Sequence, residues 1–256
     1  MLQLTWALDL DGVVWLAGQA IRGSAEAVAL LRGSGERVVF LTNNSGPLLR
    51  EHLAALAAID IEAQEEDLVT SAQAAALLLA PGSKAMVIGD PGVHEALANR
   101  GVEVVPYEGE PEAVVVGRTV SLDYWALSSA ATAVRHGARF IATNTDSTFP
   151  TREGLVPGAG AIVAFIATAA GSGPEVAGKP NAAMAELVAS RYGRLEVVVG
   201  DRADTDGLFA RRVGARFGLV LSGVTKANGL PVEPAPDMVS TDLRALVREH
   251  LRKVRL

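Results

Sequence analysis

A series of short apolar runs, each ending in a polar or glycine-bearing turn, constrains this chain more than any other feature. The runs are residues 4–10 before Asp11-Gly12, 37–41 before Thr42-Asn43-Asn44, 85–88 before Gly89-Asp90 and 114–116 before Gly117. Three more are 139–141 before Ala142-Thr143-Asn144, 197–199 before Gly200-Asp201 and 217–221 before Ser222-Gly223. They are continuous rather than alternating, the pattern of strands buried on both faces. Between them, 24–32, 48–59, 71–79, 93–100, 124–136, 181–192 and 206–213 carry apolar residues at helical spacing. Strand–helix alternation of this kind predicts an α/β fold with a parallel, helix-covered sheet.

The middle of the chain has its own strand–helix alternation, bounded by Pro81-Gly82 and by Gly171-Ser172-Gly173-Pro174. That punctuation predicts a second domain inserted into the first. The 256 residues are enough for a buried core. With aromatics at 5%, that core must come from Ala, Val, Leu and Ile. The absence of cysteine excludes disulfides, Cys-ligated metal and a thiol nucleophile. A net charge of −6 leaves no electrostatic footprint for nucleic acid. The one basic cluster, Arg244, Arg248, Arg252, Lys253 and Arg255, reads as the solvated face of a closing helix. No signal peptide is visible, and the most apolar stretch, 161–170, is too short to span a bilayer. A cytoplasmic protein without membrane partners is therefore expected.

In an open parallel sheet, ligands bind beyond the C-terminal ends of the strands. The polar residues that follow the apolar runs are thus the candidates for chemistry. The first run delivers Asp9 and Asp11, which would share a face if both lay in the strand. The second delivers Thr42, Asn43 and Asn44, and a late one delivers Asp201, followed by Asp204 and Asp206. Lys179 precedes a helix in Ala177-Gly178-Lys179-Pro180. Converging carboxylates without an ion would repel one another. Mg²⁺, which takes oxygen ligands and works with phosphate groups, resolves that repulsion.

These segments resemble the motifs of the haloacid dehalogenase (HAD) superfamily. Asp9-Leu10-Asp11-Gly12-Val13 resembles the first motif, Thr42 in Phe40-Leu41-Thr42-Asn43-Asn44-Ser45 the second, Lys179 in Gly178-Lys179-Pro180 the third, and Gly200 to Asp206 the fourth. The insertion between Thr42 and Lys179 is placed like a class II cap. Within it, Phe140 to Asp146 and Val156-Pro157-Gly158-Ala159-Gly160 resemble the NagD-like, 4-nitrophenylphosphatase-like group. Two positions depart from that pattern. Arg118-Thr119 stands where an acidic residue is expected soon after Gly117, and Gly207 stands in place of an apolar residue.

The resemblance implies a Rossmann-like HAD core of residues 1–80 and 177–256, helices on both faces, and an α/β cap of 81–176. It implies a Mg²⁺-dependent phosphatase acting on a small phosphorylated metabolite, such as a sugar phosphate, glycerol phosphate, phosphoglycolate or nucleotide. Asp9 would be the nucleophile that forms an aspartyl-phosphate. Asp11 would protonate the leaving alcohol and later activate water, with its backbone carbonyl on the metal. Asp201 would ligate Mg²⁺ directly, and Asp206 would hold a metal-bound water or orient Lys179. Asp9, Asp11, Asp201 and Asp206 thus form the implied metal set. Thr42, Asn43 and Asn44 would hold phosphoryl oxygens, and Lys179 would neutralise developing charge. Asn144 and Asp146 of the cap would contact substrate. The acid two residues after the nucleophile favours a phosphatase over a dehalogenase, whose alkyl halide needs no protonated leaving group. The same residues would serve a phosphotransferase, and a non-catalytic phosphometabolite-binding protein is the reading from another class. A homodimer is compatible with the resemblance.

Other motifs do not hold. Gly173 to Lys179 has P-loop spacing, but Pro180 removes the hydroxyl and a backbone donor. Gly158-Ala159-Gly160 lacks the rest of a dinucleotide fingerprint and reads as a turn into a helix. His52, His94, His136 and His250 have no metal-ligand spacing and read as surface or helix residues.

Overall fold

A computed structural model describes residues 4–254; Arg255 of the basic cluster lies outside them. The chain divides into two compact units, one of residues 1–42, 52–69 and 185–256 and the other of 43–51 and 70–184.

The first unit is built on a sheet whose strands run Met238–Ser240, Arg216–Val220, Val197–Gly200, Thr5–Asp9, Arg37–Thr42 and Leu68–Thr70 across its width. Thr5–Asp9 pairs in parallel with both of its neighbours. From this central strand the chain winds outward one way through Arg37–Thr42 and the other way from Val197–Gly200. Strand order therefore reverses at Thr5–Asp9, which opens a ligand crevice at its C-terminal end. The apolar runs become strands with buried interiors as expected, but the largest side chains at the centre are the rare aromatics Trp6, Phe40, Phe209 and Phe217. Each removes more surface from water than an aliphatic residue, so few are needed.

The second unit has its own parallel sheet, ordered Glu175–Val176, Arg139–Ala142, Ala113–Val116, Lys84–Ile88 and Glu103–Val104. Helices Tyr124–Arg135 and Ala159–Ala170 contribute Leu127, Ala130, Ile162 and Ile166 to the core over Met86, Val114, Val116 and Phe140. Burying each large side chain contributes roughly 1.5–3 kcal/mol. Asp123 starts the first of these helices by accepting the Ala126 N–H at 2.8 Å. Gly158 caps the second, as the glycine pair predicts.

Some local expectations change. The first strand ends at Asp9 rather than at residue 10. The Leu10 carbonyl accepts the N–H groups of Val13, Val14 and Trp15, so a tight turn, not the strand pleat, positions Asp11. Asp206 lies in a wide π-helical turn, Ala203–Gly207, ahead of helix Leu208–Val213. Two antiparallel hairpins, Trp15–Leu16 with Gln19–Ala20 and Thr148–Thr151 with Gly154–Pro157, are too short or too exposed to carry a sequence signal. All four histidines fall in or at the end of helices, with His52 and His250 buried. The basic face is partly neutralised, because Arg244 and Arg248 reach Glu26 at 3.5 and 2.5 Å.

Candidate active site

In the first unit, Asp9 ends the central strand, Thr42 ends one neighbour and Asp201 follows the other. Carboxylate oxygens of Asp9, Asp201 and Asp206 lie within 4.8 Å of one another. Asp201 and Asp206 are almost wholly buried and Asp9 is half-buried. Three such charges cannot share this volume cheaply without a cation.

The surroundings are shaped to hold them. Asp201 accepts the Val224 N–H, and a Cβ on either Gly12 or Gly223 would collide with its carboxylate. Gly12 also needs its positive φ of 84° to turn the chain after Asp11. The Ser222 hydroxyl donates to the Gly12 carbonyl at 2.6 Å, tying the two turns together. Asp206 accepts the Arg202 N–H at 3.2 Å, and Gly200 leaves the space its side chain occupies. An all-oxygen set of three carboxylates in a glycine-lined cradle fits Mg²⁺. Asp204 is not part of it; its carboxylate points to Arg202 at 3.2 Å on the surface. The Asp11 side chain is also outside the cluster and accepts the Trp15 indole N–H at 3.2 Å.

In the second unit, the residues that follow the parallel strands again converge. Asn43 Nδ2 faces the Lys179 carbonyl at 3.1 Å and Asp146 Oδ2 at 3.3 Å. The Asn43 carbonyl accepts from Asn144 Nδ2 at 2.6 Å and from the Ser71 hydroxyl at 2.7 Å. Asn144 Oδ1 in turn accepts the Asp146 N–H at 3.1 Å, an Asx turn that orders the loop. Ser45 accepts from the Thr143 hydroxyl at 3.0 Å, and Asn44 Oδ1 takes the Gly46 N–H at 3.3 Å. Gly178 is required beside Lys179, since a Cβ there would lie 2.5 Å from the Thr143 carbonyl. Lys179 is 4% exposed, an ammonium held largely out of water. At the departing position 118, the Arg118 guanidinium sits 4.2 Å over the Phe149 ring and 3.9 Å from Asp90.

Neither Trp15 nor the Ser222–Val224 turn is expected from the sequence to be part of the site. The turn had a signal, because it follows an apolar run one strand along from Asp201. Trp15 had none beyond its nearness to Asp11.

Residues 6–103 match the family profile described as haloacid dehalogenase-like hydrolase, and 176–246 match a HAD-hydrolase-like profile. The D-glycerol 3-phosphate phosphatase of Mycobacterium tuberculosis is 40% identical over 248 residues, covering 93% of this chain and 69% of that protein. The chain belongs to the haloacid dehalogenase-like hydrolase family. A 5'-nucleotidase of Bacillus subtilis is 33% identical over 86% of this chain and 88% of its own. A crystal structure of the M. tuberculosis glycerol phosphate phosphatase in complex with magnesium superposes with a TM-score of 0.88 at 38% identity, covering 95% of this chain and 76% of that one. The HAD-like α/β fold expected from the motifs is thus the fold observed.

Proposed function

We propose that this chain hydrolyses a small phosphomonoester with Mg²⁺ as cofactor, through an aspartyl-phosphate on Asp9. The observation that carries the reading is the convergence of Asp9, Asp201 and Asp206 at the switch point of the sheet, with Asp11 on the adjoining turn. Asp9, Asp201, Asp206 and the Asp11 carbonyl would hold the ion. Bound there, Mg²⁺ offsets the carboxylate charge and draws electron density from the phosphoryl group.

An Asp9 carboxylate oxygen attacks phosphorus and the bond to the ester oxygen breaks. Asp11 gives its proton to that oxygen, so the alcohol leaves neutral. Water then attacks the acyl phosphate while Asp11 takes a proton from it, releasing phosphate and regenerating both carboxyl groups. Thr42, Asn43 and Asn44 hold the non-reacting phosphoryl oxygens, and Lys179 balances their charge in the transition state. Asn144 and Asp146 act in substrate selection, a role supported by the hydrogen bonds joining their loop to Asn43. Residues 81–176 serve as the cap of a core made by 1–80 and 177–256. Among the described residues no helix is long and apolar enough to cross a membrane; we place the protein in the cytoplasm, with a homodimer as the assembly to test.

Phosphate release from a panel of phosphomonoesters, with Mg²⁺ and then with EDTA, tests the reading. Glycerol phosphate heads the panel because the relative at 40% identity is named for it, followed by a nucleoside monophosphate and 4-nitrophenyl phosphate. Turnover that EDTA abolishes is expected. No release from any ester by folded, Mg²⁺-supplied protein overturns the reading.

A further inference from the structure

The contact between Trp15 and Asp11 assigns a task to a residue outside the catalytic set. Trp15 is 9% exposed, and its indole N–H donates to Asp11 Oδ1 at 3.2 Å. The Trp15 main chain is held from three sides. The Trp15 N–H donates to the Leu10 carbonyl at 3.1 Å, and the Trp15 carbonyl accepts the Gly12 N–H at 2.6 Å. In addition, Trp15 pairs with Ala20 in the hairpin that turns at Ala17-Gly18, both of which have positive φ. From this fixed main chain a buried indole reaches back four residues to the carboxyl that follows the nucleophile.

We propose that Trp15 is a positioning residue for the general acid, its indole fixing the rotamer from which Asp11 delivers a proton to the leaving oxygen. This rests on the functional reading above, in which Asp11 is that acid. The chemistry suits the partner. Asp11 must give a proton in the first step and take one in the second, so the group that orients it must tolerate both states. An indole N–H is neutral and can only donate. A lysine or arginine in its place would favour the ionised carboxylate alone. Glycine at 12 places no side chain next to Asp11; Val13 and Val14 are buried, and the main-chain clamps at Leu10, Gly12 and Trp15 fix the turn.

The role predicts a signature that packing alone does not. Removing the indole N–H should slow esters whose alcohol must be protonated as it leaves, and spare an ester whose leaving group departs as a stable anion. The comparison is kcat/KM, which reports steps up to leaving-group departure, for glycerol phosphate and for 4-nitrophenyl phosphate in Trp15→Phe and wild type. The expected result is a drop of up to about tenfold for the alkyl ester, the size of one lost hydrogen bond. The nitrophenyl ester should stay within about twofold on the same reasoning. Replacing Trp15 with 3-benzothienylalanine, an isostere of the indole that lacks the N–H, should reproduce the split with packing preserved. That variant decides the matter if Trp15→Phe does not fold. Equal losses on both esters, or no loss on either, overturn the proposal. Wild-type protein inactive on every ester would overturn the functional reading instead, so the two failures are distinguishable.

Discussion

Asp201 is confined by two glycines from different loops, Gly12 and Gly223, and by the Val224 N–H that it accepts. Gly223 has no unusual φ, so its requirement is one of space. Gly223→Ala should therefore displace the Asp201 carboxylate with little cost to the backbone. Supports around a ligand set are worth about 10–100-fold in metal affinity, and a Mg²⁺ titration by calorimetry should show a loss at the lower end of that range. Asp9→Asn separates chemistry from stability. It should reduce turnover by about three orders of magnitude or more while leaving the melting temperature at or above the wild-type value without metal, because one of three crowded charges is gone. Adding Mg²⁺ should raise the melting temperature of wild type, as any ligand of the native state does, and should do so much less for Asp201→Asn. A melting temperature in that variant that responds to Mg²⁺ as wild type does would place the ion elsewhere.

The turn that carries Asp206 and the helix that closes the chain show how elements serve the site and the core. Gly207, where the family resemblance leads one to expect an apolar residue, sits in the π-helical turn. A Cβ there would lie 2.9 Å from the Phe217 ring and 3.1 Å from Pro234. Gly207→Val should cost about 1–3 kcal/mol by overpacking, visible as a lower denaturation midpoint. In the closing helix Leu243–Val254, His250 packs edge-on to Trp6 with ring centroids 4.8 Å apart. Burial, reinforced by the positive charges of Arg216 and Lys253 and opposed by Glu196, holds its pKa below the usual histidine value. A depressed histidine is neutral in the folded state while the unfolded chain takes up a proton. Its contribution is complete above the unfolded value of 6.5 and is lost as pH falls through the folded one. Thermal melts from pH 7.5 down toward pH 5 should show falling stability, with a shallower slope in His250→Leu. The slope should not vanish, since burial also lowers the pKa of His94. These elements were partly legible in advance. The apolar runs and helical periods placed the main strands and helices because burial on both faces leaves a strong pattern. The π turn, the tight turn after Leu10 and the two-residue strands at Trp15 and Gln19 were not legible, because side-chain space and backbone hydrogen bonds made across the fold decide them. Convergence of Asp9 and Asp201 was expected from their places at strand ends, and Asp206 entered through the family resemblance, while the Asp11 side chain expected beside them lies on the turn. The clamp of Trp15 on Asp11 depends on a ring orientation that no spacing encodes.

At the scale of the whole molecule, the second compact unit includes residues 43–51 as well as 70–184. The loop that follows the strand Arg37–Thr42 takes its hydrogen bonds from Asn144, Thr143 and Ser71 and gives them to Asp146 and Lys179. Exchanging 81–176 for a segment that differs at 143, 144 and 146 would strip that loop of all three partners at once. Backbone amide exchange at 43–46 should then quicken even though no residue there has been altered. Exchanging this unit between members of the family therefore calls for a discontinuous graft, two pieces of chain moved together, with the Asn43–Asn144 pair treated as a single inherited character.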